Sequence, residues 1–149
     1  MRIENEIKLD FSDVLIRPKR STLSSRKEVD LTRNYTFRHS KLNWSGVPIM
    51  AANMDGVGTF QMAKTLQEHK LFTCMVKSCD VSAWVENSVL LDKNNIAVST
   101  GISIQDFNKL KEVLTQCSTI KFICIDVANG YSEYFGDFIE RVQIGRAHV

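Results

Sequence analysis

The sequence predicts an α/β fold, the N-terminal half of a (β/α)8 TIM barrel preceded by a basic N-terminal arm. Three observations predict it. From about residue 46 onward, apolar strand-like runs alternate with segments of helical periodicity. Each run ends in a polar or glycine-containing loop (Asn53/Asp55, Lys77/Ser78, Ser99/Thr100, Asp126/Asn129), the position from which a barrel assembles its site. No Gly-x-Gly-x-x-Gly follows the first run, which counts against a dinucleotide-binding open sheet. On periodicity alone, an open doubly wound sheet remains the alternative. A complete barrel takes about 250 residues, and four units are legible in these 149.

The elements follow in order. Residues 1–45 read as an arm: residues 7–16 alternate loosely, then Arg17-Pro18-Lys19-Arg20 interrupts regular structure. Between Arg17 and Lys41 lie eight Lys or Arg against two acids. This is either a solvated basic arm or an anion site in which Arg26 grips two oxygens. Residues 46–142 hold the four units. Val47–Met54 reads as a buried strand, and Thr59 caps a helix from Phe60 to about His69. Leu71–Lys77 is the second strand and Val81 to about Leu91 the second helix. A third strand spans Ile96–Gly101, and helical spacing of Ile104, Phe107, Leu110, Val113 and Leu114 predicts a helix over 103–116. The fourth strand, residues 121–126, precedes a helix from Glu133 to about Val142.

That fourth strand carries the most informative stretch. An apolar run enters Asp126 and then Val127-Ala128-Asn129-Gly130-Tyr131-Ser132. A continuous run of this kind reads as a parallel strand covered on both faces. Its carboxylate then sits at the carboxyl end, where ligands bind. Asp126 there either accepts hydrogen bonds from ribose hydroxyls or an amide, or merely caps its own loop. Gly130 is expected to let the backbone turn, and Ser132 to start the helix.

Composition excludes several classes. Hydrophobic content of 44%, charged content of 24% and a net charge of +2 are those of an ordinary globular chain, with no global signal for nucleic acid or membrane. No apolar run approaches the roughly 20 residues of a membrane span, and Met1–Glu6 lacks the features of a signal peptide. Cys74, Cys79, Cys117 and Cys124 form no Cys-x-x-Cys pair and have no His at ligand spacing, so no metal site is expected. Cys74 and Cys124 read as small core hydrophobes, and a reduced, cytoplasmic location is expected.

Three segments, in order, resemble the GMP reductase family: Leu9–Ser21, Ala52–Phe60 and Asp126–Glu133. The resemblance spans residues 1 to about 142 and implies a (β/α)8 barrel that reduces GMP to IMP and ammonia with NADPH. It implies cofactor contacts at Lys77 and at the Asp126-Val127-Ala128 loop. It also implies that Ser25 and Arg26 reach the cofactor of a neighbouring subunit, hence a homotetramer. In that family a cysteine thiolate attacks C2 of the purine, ammonia leaves, and hydride from NADPH completes the reduction. A potassium ion orders the catalytic loop, at a site in the half of the barrel that is missing here.

The sequence departs from the family in places. The run Val76-Lys77-Ser78-Cys79 stands where histidines and a tyrosine are usual, and Gly56 where a threonine is usual. The family's nucleophile follows a Gly-Pro-Gly-Ser-Val segment, and no cysteine here has that context. No catalytic residue is therefore assigned, and the 149-residue chain is expected to be inactive by itself. Residues 143–149 are expected to be a non-native tail, because Ile144–Val149 matches one reading frame of a common sequencing-library adapter. Two alternatives stand beside the reductase. One is an IMP dehydrogenase-like enzyme, which would carry a regulatory insertion after the second helix; residues 81–101 contain none. The other is a non-catalytic half-barrel that pairs with full-length subunits.

Overall fold

The computed structural model describes residues 3–146. It divides into two compact units, Met1–Asp30 and Leu31–Val149. The first holds two single 3-10 turns, Phe11–Asp13 and Arg26–Glu28, and every described residue in it is solvent-exposed. Asp10 and Asp13 cap the first turn reciprocally, with Asp13 Oδ2 accepting from the Asp10 N–H at 2.9 Å.

The second unit opens with an antiparallel hairpin, β1 (Arg33–Thr36) and β2 (Asn43–Gly46), for which the sequence pattern gave no expectation. A parallel sheet follows, made of β3 (Met50–Ala51), β4 (Phe72–Cys74), β5 (Ile96–Thr100) and β6 (Phe122–Ile125). The helices are α1 (Phe60–Glu68), α2 (Val81–Ser88), α3 (Ile104–Gln116) and α4 (Glu133–Arg146). The strands lie side by side in the order β3-β4-β5-β6, all parallel. A doubly wound sheet reverses its order at a switch point; this one does not, so the four units form a partial (β/α)8 barrel.

Side-chain alternation separates two cores. Met75, Ile96, Val98 and Ile123 pack with Ala63, Trp84, Leu110, Val113 and Phe138 in the layer between sheet and helices. Phe72, Cys74, Ala97, Phe122 and Cys124 face the other way, with Trp44 of the hairpin among them. Trp44 donates from Nε1 to the Asn94 carbonyl at 2.8 Å, and its ring meets Phe72 edge-on at 6.4 Å. The hairpin thus seats on the amino-terminal end of the inner face, leaving the carboxyl ends of the strands for other work. Gly46 is required there, since a Cβ would lie 2.6 Å from the Trp44 ring and 2.7 Å from the Lys70 carbonyl.

Caps set the helix starts. Thr59 Oγ1 accepts from the Met62 N–H at 3.2 Å, and Ser103 with Asp106 forms a capping box at α3. The structure corrects several readings. The strand expected over Val47–Met54 shrinks to two residues, with Ile49 61% and Met50 60% exposed, because Pro48 has no N–H and β3 is an edge strand. β6, expected to be covered on both faces, is half-buried because it is the other edge. Gly130 needs no left-handed backbone; among the described glycines only Gly56 has positive φ, at 77°. Helix α4 runs on through Gly145 to Arg146 instead of ending near Val142. The rest of the expected tail, residues 147–149, lies outside the described residues, as do the side chains of 144–146.

Candidate functional site

The loops that follow the four parallel strands converge on one end of the sheet. Asn53, after β3, donates from Nδ2 to Asp126 Oδ2, after β6, at 2.9 Å. The bond joins loops from the two edge strands, so the sheet curls until its ends are within side-chain reach. Of the two roles open to Asp126, capping its own loop is not the one observed. Asn129 closes that loop, its Oδ1 accepting from the Tyr131 N–H at 3.0 Å, and Ser132 Oγ caps α4 by accepting from the Phe135 N–H at 3.2 Å. The Asp126 carboxylate is exposed, Val127 half-buried and Ala128 exposed.

Lys77 sits apart from this pair. It follows β4 and points over Gly101, where an added Cβ would lie 3.5 Å from its Nζ and press on the Asp106 carboxylate. Lys109 donates to the Lys77 carbonyl at 2.8 Å, so α3 holds the Lys77 backbone. Burial pushes the Asp106 carboxyl up, but hydrogen bonds from Ser103 and the charges of Lys77 and Lys109 outweigh it and hold it below its ordinary value. Among the described residues, no hydrogen bond or ion pair links Lys77 to Asp126. Asp106 and Lys109 escaped the sequence reading, because on a helix they look like ordinary solvated charges.

The inner face carries a feature that spacing did not expose. Cys74 and Cys124, expected to be small core hydrophobes, both lie in the inner-face cluster. Cys74 also lies 3.2 Å from the thioether sulfur of Met50. Interaction with the Cys124 thiol, and then burial, raises the Cys74 thiol above its usual value. Interaction with the Cys74 thiol lowers Cys124 to about 6; burial opposes this, the Ser99 hydroxyl assists, and the Asp126 charge opposes.

Ser25 and Arg26 lie in the first unit. Ser25 Oγ accepts from the Lys27 N–H at 3.3 Å and so starts the turn in which Arg26 stands exposed.

Residues 8–148 match the IMP dehydrogenase / GMP reductase domain. The chain is 54% identical over 146 residues to the GMP reductase of Vibrio cholerae, covering 96% of this chain and 42% of that protein. It is 54% identical over 145 residues to the GMP reductase of Caenorhabditis elegans, covering 95% and 40% respectively. The fold is shared with the inosine 5′-monophosphate dehydrogenase of Legionella pneumophila, with a TM-score of 0.72 at 21% identity over 91% of this chain and 40% of that one. The chain therefore spans about two-fifths of the length of these relatives. A sequential parallel sheet, polar strand ends facing one another, and a domain match along nearly the whole length lead to one conclusion: the chain belongs to the IMP dehydrogenase / GMP reductase family.

Proposed function

We propose that this chain forms the cofactor-contacting part of a GMP reductase, acting in purine nucleotide interconversion in the cytoplasm. The observation that carries the reading is identity of 54% across nearly the whole chain to proteins named GMP reductase in both a bacterium and a nematode. The residues at the strand ends fit the cofactor by their chemistry. Asp126 keeps an exposed carboxylate, held in place by Asn53, that can accept hydrogen bonds from ribose hydroxyls or a carboxamide. The peptide groups of Val127 and Ala128 flank it. Lys77 supplies an exposed ammonium of the right sign for a phosphate.

NADPH, when bound, supplies the hydride for reducing GMP to IMP with release of ammonia. This chain's part is to bind and orient: Asp126 fixes the sugar or amide end and Lys77 meets the charged end. Ser25 and Arg26 serve the cofactor of a neighbouring subunit in a homotetramer, with Arg26 gripping two oxygens. The nucleophile and the potassium site belong to glycine-rich loops of a kind that these residues do not contain.

A chimera tests the reading. Residues 1–142 of this chain replace the matching part of the Vibrio cholerae GMP reductase, and NADPH oxidation is followed with GMP present. The chimera should oxidise NADPH only with GMP, and Lys77→Met should raise KM for NADPH while leaving kcat largely intact. A folded, tetrameric chimera that instead oxidised IMP with NAD would establish the dehydrogenase reading. One with neither activity would refute both.

A further inference from the structure

Lys77 stands exposed on the turn after β4, yet its surroundings are supplied by a single helix, α3. Lys109 Nζ donates to the Lys77 carbonyl at 2.8 Å, across 32 positions of sequence. The Lys77 ammonium and Asp106 Oδ2 both lie within 3.5 Å of one point, that of a Cβ built on Gly101. Glycine leaves this space open to the two of them. Asp106 is itself pinned: its Oδ2 accepts from the Ser103 N–H at 3.2 Å and from the Ser103 hydroxyl at 2.7 Å. Leu110 and Val113, both buried, anchor the helix that carries Asp106 and Lys109.

The spacing decides what this arrangement can do. Among the described residues Lys77 closes no ion pair with Asp106. A direct pair would occupy the donors of the ammonium and cancel its charge. A carboxylate just beyond contact orients the ammonium and leaves those donors to a ligand. An exposed lysine samples many rotamers, and binding an anion must freeze them. Favouring one rotamer in advance reduces that loss. The cluster is not itself a binding cavity. The crevice lined by Lys77, Asp106 and Lys109 holds only about 10 Å³, room for one water at most. An anion is therefore met from outside, by the exposed ammonium.

We propose that Asp106 and Lys109 are positioning residues for Lys77. Lys109 fixes its backbone, and the Asp106 carboxylate holds its ammonium over Gly101, presented to a phosphate of the cofactor. The positioning stands on the geometry of this chain; the identity of the anion rests on the reductase reading. The sign of the effect separates positioning from plain electrostatics. Asp106 is a negative charge beside the place of an anion, so by charge alone its removal would tighten binding. By positioning, its removal weakens binding.

Two measurements test this. In the 149-residue chain, NMR relaxation of the lysine Cε methylenes should find Lys77 more ordered than Lys111, an exposed lysine of α3. Asp106→Asn, which keeps an acceptor for Ser103, should bring Lys77 to the level of Lys111. In the chimera with the Vibrio cholerae GMP reductase, Asp106→Asn should raise both the Kd for NADPH, read by its fluorescence, and the KM about two- to fivefold. The change in kcat should be smaller. Asp106→Glu, which keeps the charge and suits a capping box, should restore most of the loss. In a Lys77→Met background Asp106→Asn should raise neither constant further, because it acts through Lys77. Lys77 as mobile as Lys111 in the unmutated chain, tighter NADPH binding by Asp106→Asn, or an effect that persists without Lys77 would overturn the proposal. An unmutated chimera that does not turn over NADPH would instead refute the reductase reading, and the relaxation measurement would still decide whether Asp106 orders Lys77.

Discussion

Asn53 Nδ2 and Asp126 Oδ2 meet at 2.9 Å, although 73 residues and two intervening strands separate them. The bond ties the first unit of the sheet to the fourth at the end where the site lies. Its acceptor is a carboxylate, which strengthens it, and its exposure to water weakens it again. Asn53→Ala should therefore destabilise the chain by about 1 kcal/mol. A double-mutant cycle with Asp126→Ala in urea should give a coupling of about 0.5–1.5 kcal/mol. Additive effects would mean that the bond does not hold the two loops together in solution.

Asp106 makes stability depend on acid. Its carboxyl is held below the ordinary value of 3.8, so the folded chain resists protonating it more than the unfolded chain does. The resulting stabilisation is complete above the unfolded value and disappears as pH falls through the lower, folded one. Asp106→Asn should destabilise by about 0.5–1 kcal/mol at pH 7. Urea midpoints of the two proteins should draw together as pH is lowered from 5 to below 3.

Gly56 and Gly58 are two residues apart in one loop yet exclude a side chain for different reasons. Gly56 has φ of 77° and open space around it, so only backbone conformation excludes a side chain. Gly56→Thr, which restores the residue usual in the family, should destabilise by about 1–2 kcal/mol. Gly58 is confined by the Cys74 carbonyl, the Val76 N–H at 2.8 Å and the Ala52 carbonyl at 3.0 Å, all of them backbone. Gly58→Ala should cost about 3 kcal/mol and move the carboxyl end of β4. Thermal melts of the two variants, ranked in that order, check the pair.

Trp44 anchors the hairpin with 8% of its surface exposed and its indole N–H bonded to Asn94. Trp44→Ala should remove about 3–5 kcal/mol. Trp44→Phe, which keeps most of the ring contact with Phe72, should lose much less. Equal losses in chemical denaturation would show that the hydrogen bond, not the packing, seats the hairpin.

Much of the fold is written in local pattern. Thr59 announced its helix because a cap acts on N–H groups two or three residues away, and Ile96–Gly101 read as a strand because its apolar residues run together before a glycine. The edge strands misled, since burial of β3 and β6 depends on neighbours and not on their own residues. The hairpin was invisible, because Arg33–Thr36 is polar and exposed and only Trp44 and Gly46 of its partner strand are buried. Lys77 and Asp126 were legible as strand-end charges, but not the separation between them or the partner each would find.

The sequence by itself determined the alternation of strands and helices, the loops at which polar groups cluster, and the family, all of which depend on short spacings along the chain. Only the tertiary structure decided that Asn53 reaches Asp126, that Asp106 and Lys109 surround Lys77, and that Cys74 meets Met50 on the inner face. Those are contacts between residues tens of positions apart. They are set by the curvature and register of the sheet, which no local pattern encodes.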